Sequence, residues 1–499
     1  MKILELKNIT KKFDGITAND SICLDIEKGE VHSLLGENGA GKTTLMKILF
    51  GMYSADGGSI RLNGKTVVIS RPSRAIGLGI GMIHQHFMLV DRLSVAENIV
   101  AGCEPRKGVF LDLKKARKNV RISGEKYGFR LDPDAKVENI SVGEQQRVEI
   151  LKALYRNADI LILDEPTAVL TPQEAEELFA IIKKLKSDGK TIIFITHKLK
   201  ETMAVSDRIT VLRDGKKVDT VETAETSPRK LAKMMVGREV ILRVEKPEKP
   251  PGKAVLTVKD LSAFNPVSRL GLKKIDLTVH AGEIVGIAGI EGNGQLEVEE
   301  TIMGLRAIDS GSITLDNQDI SRCSTAQRRK LGMVHIPSDR FRRGLLRSRS
   351  IEHNIILGSE WLRPFAKKGL LSFPAIESYS RRIIDEFQIR CPGSKETVDT
   401  LSGGNQQKLV IGRELSRNPK VIVAAQPTRG VDIGAIEYIH NLLLRMREQG
   451  RAIILISAEL DELMTLSDRI LVMYEGKIIA EGPHFAESEL GLLMAGSKL

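Results

Sequence analysis

The chain is written twice. GEVHSLLGENGAGK, ending at Lys42, returns as GEIVGIAGIEGNGQ, with Gly36 matched by Gly289. DGGSIRLNGK (56–65) returns as DSGSITLDNQ (309–318) at the same separation. ISVGEQQ and LSGGNQQ, LDEPT and AAQPT, and FITHKL and LISAEL also pair off, all three at one wider separation, so the second copy has gained residues in between. Register held across both halves is the mark of duplication. With 499 residues, 42% hydrophobic, there is enough chain for two cores. The proline- and charge-rich VEKPEKPPGK (244–253) has too little apolar surface to pack and reads as a linker. The expected organisation is a first domain over 1–240, a linker over 241–253 and a second domain over 254–499.

Within each copy, β-branched apolar runs such as IIFIT and IILIS alternate with amphipathic stretches, the pattern of a parallel sheet in an α/β fold. The segment from about Met88 to Tyr155 has few such runs and reads as a helical subdomain. No apolar stretch approaches the roughly 18 residues of a membrane helix. The opening MKILELKNITKKF alternates as a strand does and lacks the apolar core of a signal peptide, which predicts a cytoplasmic protein. Cys23, Cys103, Cys323 and Cys391 form no CxxC pair, against a disulfide framework or a zinc site. A formal charge of +11 suits nucleic acid or anionic lipid headgroups, but 4% aromatics leave few platforms for stacking bases.

The first copy carries a complete GxxxxGK[ST] loop after the apolar strand VHSLL: Gly36, Glu37, Asn38, Gly39, Ala40, Gly41, Lys42 and Thr43, followed by Thr44. Glycines let successive N–H groups turn inward around phosphates, and the following helix adds its positive N-terminus. Lys42 is expected to reach the β- and γ-phosphates and Thr43 to ligate Mg²⁺. A second apolar run, Ile160 to Leu163, ends in Asp164 and Glu165 at the edge of a parallel sheet where ligands bind. Asp164 is suited to the metal's hydration shell, and Glu165 to deprotonating the attacking water. TIIFIT ends at His197, placed to touch the γ-phosphate from the same edge. Phe13 is either an adenine-stacking ring or a buried core residue. His84-Gln85-His86 places two imidazoles on one strand face, but no local carboxylate or cysteine completes a metal site.

Taken together, these motifs resemble the ATP-binding cassette family over essentially the whole chain. Gly36 to Thr44 matches its Walker A, Gln85 its Q-loop, Ile160 to Glu165 its Walker B, His197 its switch histidine and LSGGNQQ its signature. The resemblance implies two tandem P-loop α/β domains, each a mainly parallel sheet core with an antiparallel β subdomain and a helical subdomain. It implies ATP and Mg²⁺ as cofactors, with Thr43, Gln85 and Asp164 at the metal and Glu165, His197, Lys42 and Gln85 in catalysis. It further implies head-to-tail pairing of the two cassettes, so that Ser402, Gly403, Gly404 and Gln406 of the second signature complete the nucleotide site of the first.

Under that pairing the departures are informative. In the second cassette Gln295 and Leu296 stand where Lys42 and Thr43 stand in the first, Ala425 and Gln426 replace the two carboxylates, and Ala458 replaces the histidine. In the first signature Val142 replaces a glycine and Glu144 a neutral amide. A β-branched side chain obstructs close backbone approach, and a carboxylate repels phosphate. Asp432 would serve the intact site, while its counterpart is Thr171. Every intact part thus falls in one composite site and every damaged part in the other; ATP binding at the damaged site is left open.

A fused pair of this kind resembles the ATPase subunit of the ribose- and nucleoside-type importers of bacteria. ISVGEQQRVEILKALYR, LDEPTAVLTPQE and AAQPTRGVDIGAIEYIH are most like the nucleoside branch. This implies two separate integral membrane permease subunits, an extracytoplasmic substrate-binding lipoprotein, and a place on the cytoplasmic face of the membrane, with no nucleic acid partner. Ribose, galactose or another simple sugar is the alternative cargo. Soluble tandem cassettes acting on ribosomes or DNA are a different class; they usually keep both cassettes intact and join them by a long charged arm. The Q-loop and its counterpart at His335 to Arg340, which contains IPSDR, are expected to carry motion to the permease.

Overall fold

The computed structural model describes all residues except 14–15, 85–86, 109, 168–169, 171, 240–245, 248–249, 267–269, 291, 495 and 497–499, and the backbone alone of 172–173. The chain divides into two compact units, Met1–Val240 and Ile241–Leu499.

The first unit is built on a six-stranded sheet in the order Lys216–Glu222, Arg208–Arg213, Val31–Leu35, Thr191–Thr196, Ile160–Asp164, Ile80–Ile83. The first pair is antiparallel; all later neighbours are parallel, with Ile192 opposite Val31 and Thr191 opposite Ile160. Every residue of Val31–Leu35, Ile160–Asp164 and Thr191–Thr196 is buried, which is why these runs are continuously apolar. Side chains alternate between faces. Ile160, Ile162, Ile193 and Ile195 pack against an antiparallel four-stranded sheet, ordered Ile16–Glu27, Lys2–Phe13, Gly57–Leu62, Lys65–Val67. Leu161, Leu163, Ile192 and Phe194 pack with the helical subdomain. That subdomain contains helices Val95–Val100, Leu113–Tyr127 and Val142–Tyr155 and a two-stranded hairpin, Arg106–Lys107 with Phe110–Leu111.

The second unit repeats the plan. Its sheet runs Met333–Ile336, Val421–Ala425, Ala452–Ile456, Ile284–Ala288, Arg469–Tyr474, Lys477–Gly482. Its antiparallel sheet runs Gly271–His280, Ala254–Phe264, Ser310–Leu315, Gln318–Asp319. Val421, Val423 and Ala425 face the antiparallel sheet; Ile422 and Ala424 face the helices. In each unit a central strand, Val31–Leu35 or Ile284–Ala288, runs into a glycine-rich turn.

Candidate active site

In the first unit the strand Val31–Leu35 runs through the loop 36–41 into the helix Lys42–Leu49. Both ends of the loop need glycine. Gly41 caps the helix at φ 93°, in the left-handed region. At Gly36 a Cβ would lie 2.5 Å from the Leu212 carbonyl oxygen. The Lys42 ammonium is buried and donates to the carbonyls of Gly36 at 2.6 Å and Glu37 at 2.9 Å. Burial lowers its pKa against the opposing pull of Glu165, Asp164 and Glu37, so the cation stands within the field of the neighbouring strand's acids. Asn38 and Gly39 are exposed at the tip, Ala40 is buried, and Thr43 and Thr44 are half-buried at the start of the helix.

The acidic pair sits beside this loop. Thr43 Oγ1 donates to Asp164 Oδ1 at 3.3 Å. Burial, and then the adjacent Glu165, raise the Asp164 pKa. Glu165 adopts φ 48°, turning off the strand end, with its backbone N–H on the Ile195 carbonyl at 2.9 Å. His197 Nδ1 lies 2.9 Å from Glu165 Oε1. Since a carboxylate only accepts, Nδ1–H is the donor, and Nε2 is the ring's remaining nitrogen. Burial pushes the Glu165 carboxyl up, but the hydrogen bond and charge of His197, with Lys42, outweigh it and hold the group below the usual carboxylate range. The arrangement keeps the Glu165 carboxylate charged beside the loop 36–41.

Two residues that sequence reading missed support it. Buried Asn19 donates to the Gly41 carbonyl at 3.0 Å, anchoring the loop from the antiparallel sheet. Buried Glu201 accepts from Thr167 at 2.6 Å and from Thr196 at 3.1 Å, tying the turn after Glu165 to the residue before His197. Both look like ordinary polar residues in the sequence; only the crossing of distant segments gives them a partner.

Other expected residues fall as follows. Phe13 is 38% exposed, with Tyr53 edge-on at 5.3 Å and Lys11 Nζ 5.3 Å from its ring, so the core alternative fails. Gln85 and Thr171 lie outside the described residues. In the second unit Ser402 caps the helix Gly403–Leu415 and bonds Asn405 Nδ2 at 2.9 Å. Gly403 is half-buried, Gly404 is buried, and Gln406 is turned inward, donating to the Val398 carbonyl at 3.2 Å. Gln406 is thus engaged in local structure, as is Gln145 in the first unit, whose amide donates to the Val137 and Ile140 carbonyls.

The first signature is also engaged locally. Glu144 accepts from the Ser141 N–H at 2.9 Å while Ser141 Oγ accepts from the Glu144 N–H at 3.2 Å, a capping box. Val142, 40% exposed, stands where Gly403 stands in the other unit. At the second phosphate-type loop, Gly292 and Gly294 keep the positive φ of Gly39 and Gly41. Gln295 donates to the Ile290 carbonyl at 3.1 Å, the position equivalent to Glu37. It thereby keeps one of the structural bonds of Lys42 without its charge. Gln426 Oε1 accepts from the Ala458 N–H at 3.3 Å in place of the carboxylate and histidine contact.

Two stretches of the chain, 20–168 and 272–429, match the ABC transporter family. A nucleoside import ATP-binding protein of Lactococcus lactis is 48% identical, covering 100% of this chain and 99% of the relative. A guanosine import ATP-binding protein of Bacillus subtilis is 50% identical over 99% of this chain and 98% of the relative. A glucose import ATP-binding protein of Haloferax volcanii is 45% identical over 99% and 96%. With a matched cassette in each unit and relatives aligned along the full chain, the protein belongs to the ABC transporter family, as a tandem ATP-binding cassette ATPase subunit.

Proposed function

We propose that this chain energises nucleoside import by hydrolysing ATP at one competent site, formed by the Walker motifs of the first cassette and the signature of the second. The observation that carries the reading is the Glu165–His197 pair at 2.9 Å beside Lys42, set against Gln426 and Ala458 at the same backbone positions. The loop from Gly36 to Thr44 holds the phosphates, and Lys42 turns from the loop carbonyls to the β- and γ-oxygens. Glu165 takes the proton of the attacking water while His197 orients the carboxylate and faces the γ-phosphate. Ser402, Gly403 and Gly404 bring a helix N-terminus to the same phosphate. Gln85 and Phe13 are assigned to the metal-water shell and to adenine.

Thr43 and Asp164 present hard oxygen donors 3.3 Å apart, a set that fits Mg²⁺. When bound, the ion supplies charge neutralisation on the β- and γ-phosphate oxygens. Among the described residues no helix is long and apolar enough to cross a membrane. We assign the pore to two separate permease subunits and cargo capture to an extracytoplasmic receptor, with this chain on the cytoplasmic membrane face.

Nucleosides are preferred because the relatives named for nucleoside and guanosine import are more similar than the one named for glucose, whose 45% identity keeps a simple sugar as the second reading. The test is uptake of labelled guanosine, uridine, ribose and glucose in cells whose copy of this gene carries Glu165→Gln. Loss of nucleoside uptake alone is expected; loss of sugar uptake alone overturns the cargo.

A further inference from the structure

We infer that Arg340 is a positioning residue for ATP hydrolysis, holding the signature loop of the second cassette through a turn in a segment three residues longer than its counterpart in the first cassette. The inference rests on the proposed role of that signature in the competent site. Residues 337–344 join Ile336 to Leu345, whereas the shorter run 84–88 joins Ile83 to Leu89. The alignment is fixed on both sides: Asn98 accepts from the Val90 N–H, and Asn354 from the Leu346 N–H, each at 2.8 Å. The longer segment forms a wide helical turn over Arg340–Gly344, started by Asp339, whose carboxylate accepts from the N–H groups of Phe341 at 2.9 Å and Arg342 at 3.0 Å.

The turn is tied at one side to the helix after the second phosphate-type loop, Gln295–Ile302. Buried Glu300 on that helix pairs with Arg343 and with Arg306. Glu299 next to it pairs with His335 at 2.8 Å and accepts from the Ser338 N–H at 3.4 Å. The first cassette carries Met46, Lys47 and Met82 at the positions of Glu299, Glu300 and His335, so it has none of these ties.

The other side of the turn meets the signature. Arg340 Nη1 donates to the Arg429 carbonyl at 2.9 Å. A Cβ at Gly403 would lie 3.1 Å from Arg340 Nη2 and 3.1 Å from the Gly430 carbonyl oxygen. Arg413, on the signature helix, donates to the Gly344 carbonyl at 2.8 Å. At Gly404 a Cβ would lie 2.9 Å from Asp432 Oδ2, and Asp432 caps the next helix by accepting from the Ala435 N–H at 2.7 Å. The guanidinium thus stands against Gly403 while bonding the loop that leads into Asp432. Bonded to one backbone segment and packed against the other, the guanidinium holds the spacing of the two segments that the proposed site brings to one phosphate. Glycine at 403 leaves room for it; Val142 has replaced that glycine in the cassette whose run 84–88 carries no arginine.

The test is steady-state ATPase of the full chain assembled with its permease. Arg340→Ala should lower kcat by about tenfold to hundredfold, as misplacement of about 1 Å does, with KM for ATP within about twofold and unfolding temperature nearly unchanged. Arg340→Lys, which keeps one donor but not the fork, should recover part of kcat. Arg343→Gln, which releases the far side of the turn and leaves Arg340 intact, should give a smaller loss. Unchanged kcat in Arg340→Ala overturns the inference, and so does a loss matched by a fall in unfolding temperature in all three variants. Asn405→Glu separates the two readings, because it copies the capping box of Ser141 and Glu144 while adding a carboxylate to the signature. If it leaves turnover intact, the composite site itself is wrong; if it abolishes turnover while Arg340→Ala does not, only the role of Arg340 fails.

Discussion

Glu165 and Gln426 stand at φ 48° and 47°, each with its backbone N–H on the carbonyl of the adjoining strand, Ile195 at 2.9 Å and Ile456 at 2.7 Å. A non-glycine residue in that region costs about 1–2 kcal/mol. The second cassette therefore keeps the strained turn although its side chain is no base. The same holds at the phosphate-type loops, where both glycine pairs keep positive φ and both Lys42 and Gln295 donate to loop carbonyls. Asn19, which holds Gly41 by a hydrogen bond, has Leu272 as its counterpart, whose Cδ2 would lie 3.5 Å from a Cβ at Gly294. Backbone geometry and chemistry have come apart: the second cassette retains the frame and replaces the groups that bear charge or protons.

The two cassettes should differ most in turnover. Glu165→Gln should lower ATPase by about 10²–10⁴-fold, the usual worth of a general base, whereas Gln426→Ala should stay within about twofold. Steady-state phosphate release from the transporter complex measures both, and an inactive Gln426→Ala would end the case for unequal cassettes. The next effect is on pH. His197 is what holds Glu165 below the ordinary carboxylate range, against burial that pushes it up. In His197→Ala burial is left unopposed by that bond, so Glu165 protonates at higher pH as the solution is acidified. The acid limb of residual activity should move to higher pH; a limb that stays put or moves down contradicts the pairing. The smallest effect is structural. Ser141→Ala removes the cap of Val142–Tyr155 and should cost about 1 kcal/mol, or about 2–4 °C in the melting of the first cassette, with kcat retained. A large loss of kcat at unchanged melting would mean that the first signature takes part in turnover.

Much of the frame could be read from the sequence. Continuous apolar runs such as ILIL and TIIFI mark strands buried on both faces, and the structure buries each of them completely. GxxxxGK[ST] located the glycine-rich turn between a strand and a helix, because only glycine serves at Gly36 and Gly41. Phe13 was ambiguous because an exposed ring and a core ring have the same letter; 38% exposure decided it. Asn19 and Glu201 were invisible because each acts on a segment remote in sequence. Gln406 lies in the signature run, yet its amide is directed into its own subdomain.

The duplication, the strand cores and the unequal distribution of Lys42, Asp164, Glu165 and His197 follow from residue identity and local periodicity alone. It takes the folded chain to bring His197 to Glu165, to give Gln295 a structural bond of the lysine it replaces, and to carry Arg340 to the Arg429 carbonyl. Each of these is a contact across a turn or between segments separated in the chain. Its geometry depends on where the buried strands and helices deliver their ends, which no local pattern encodes.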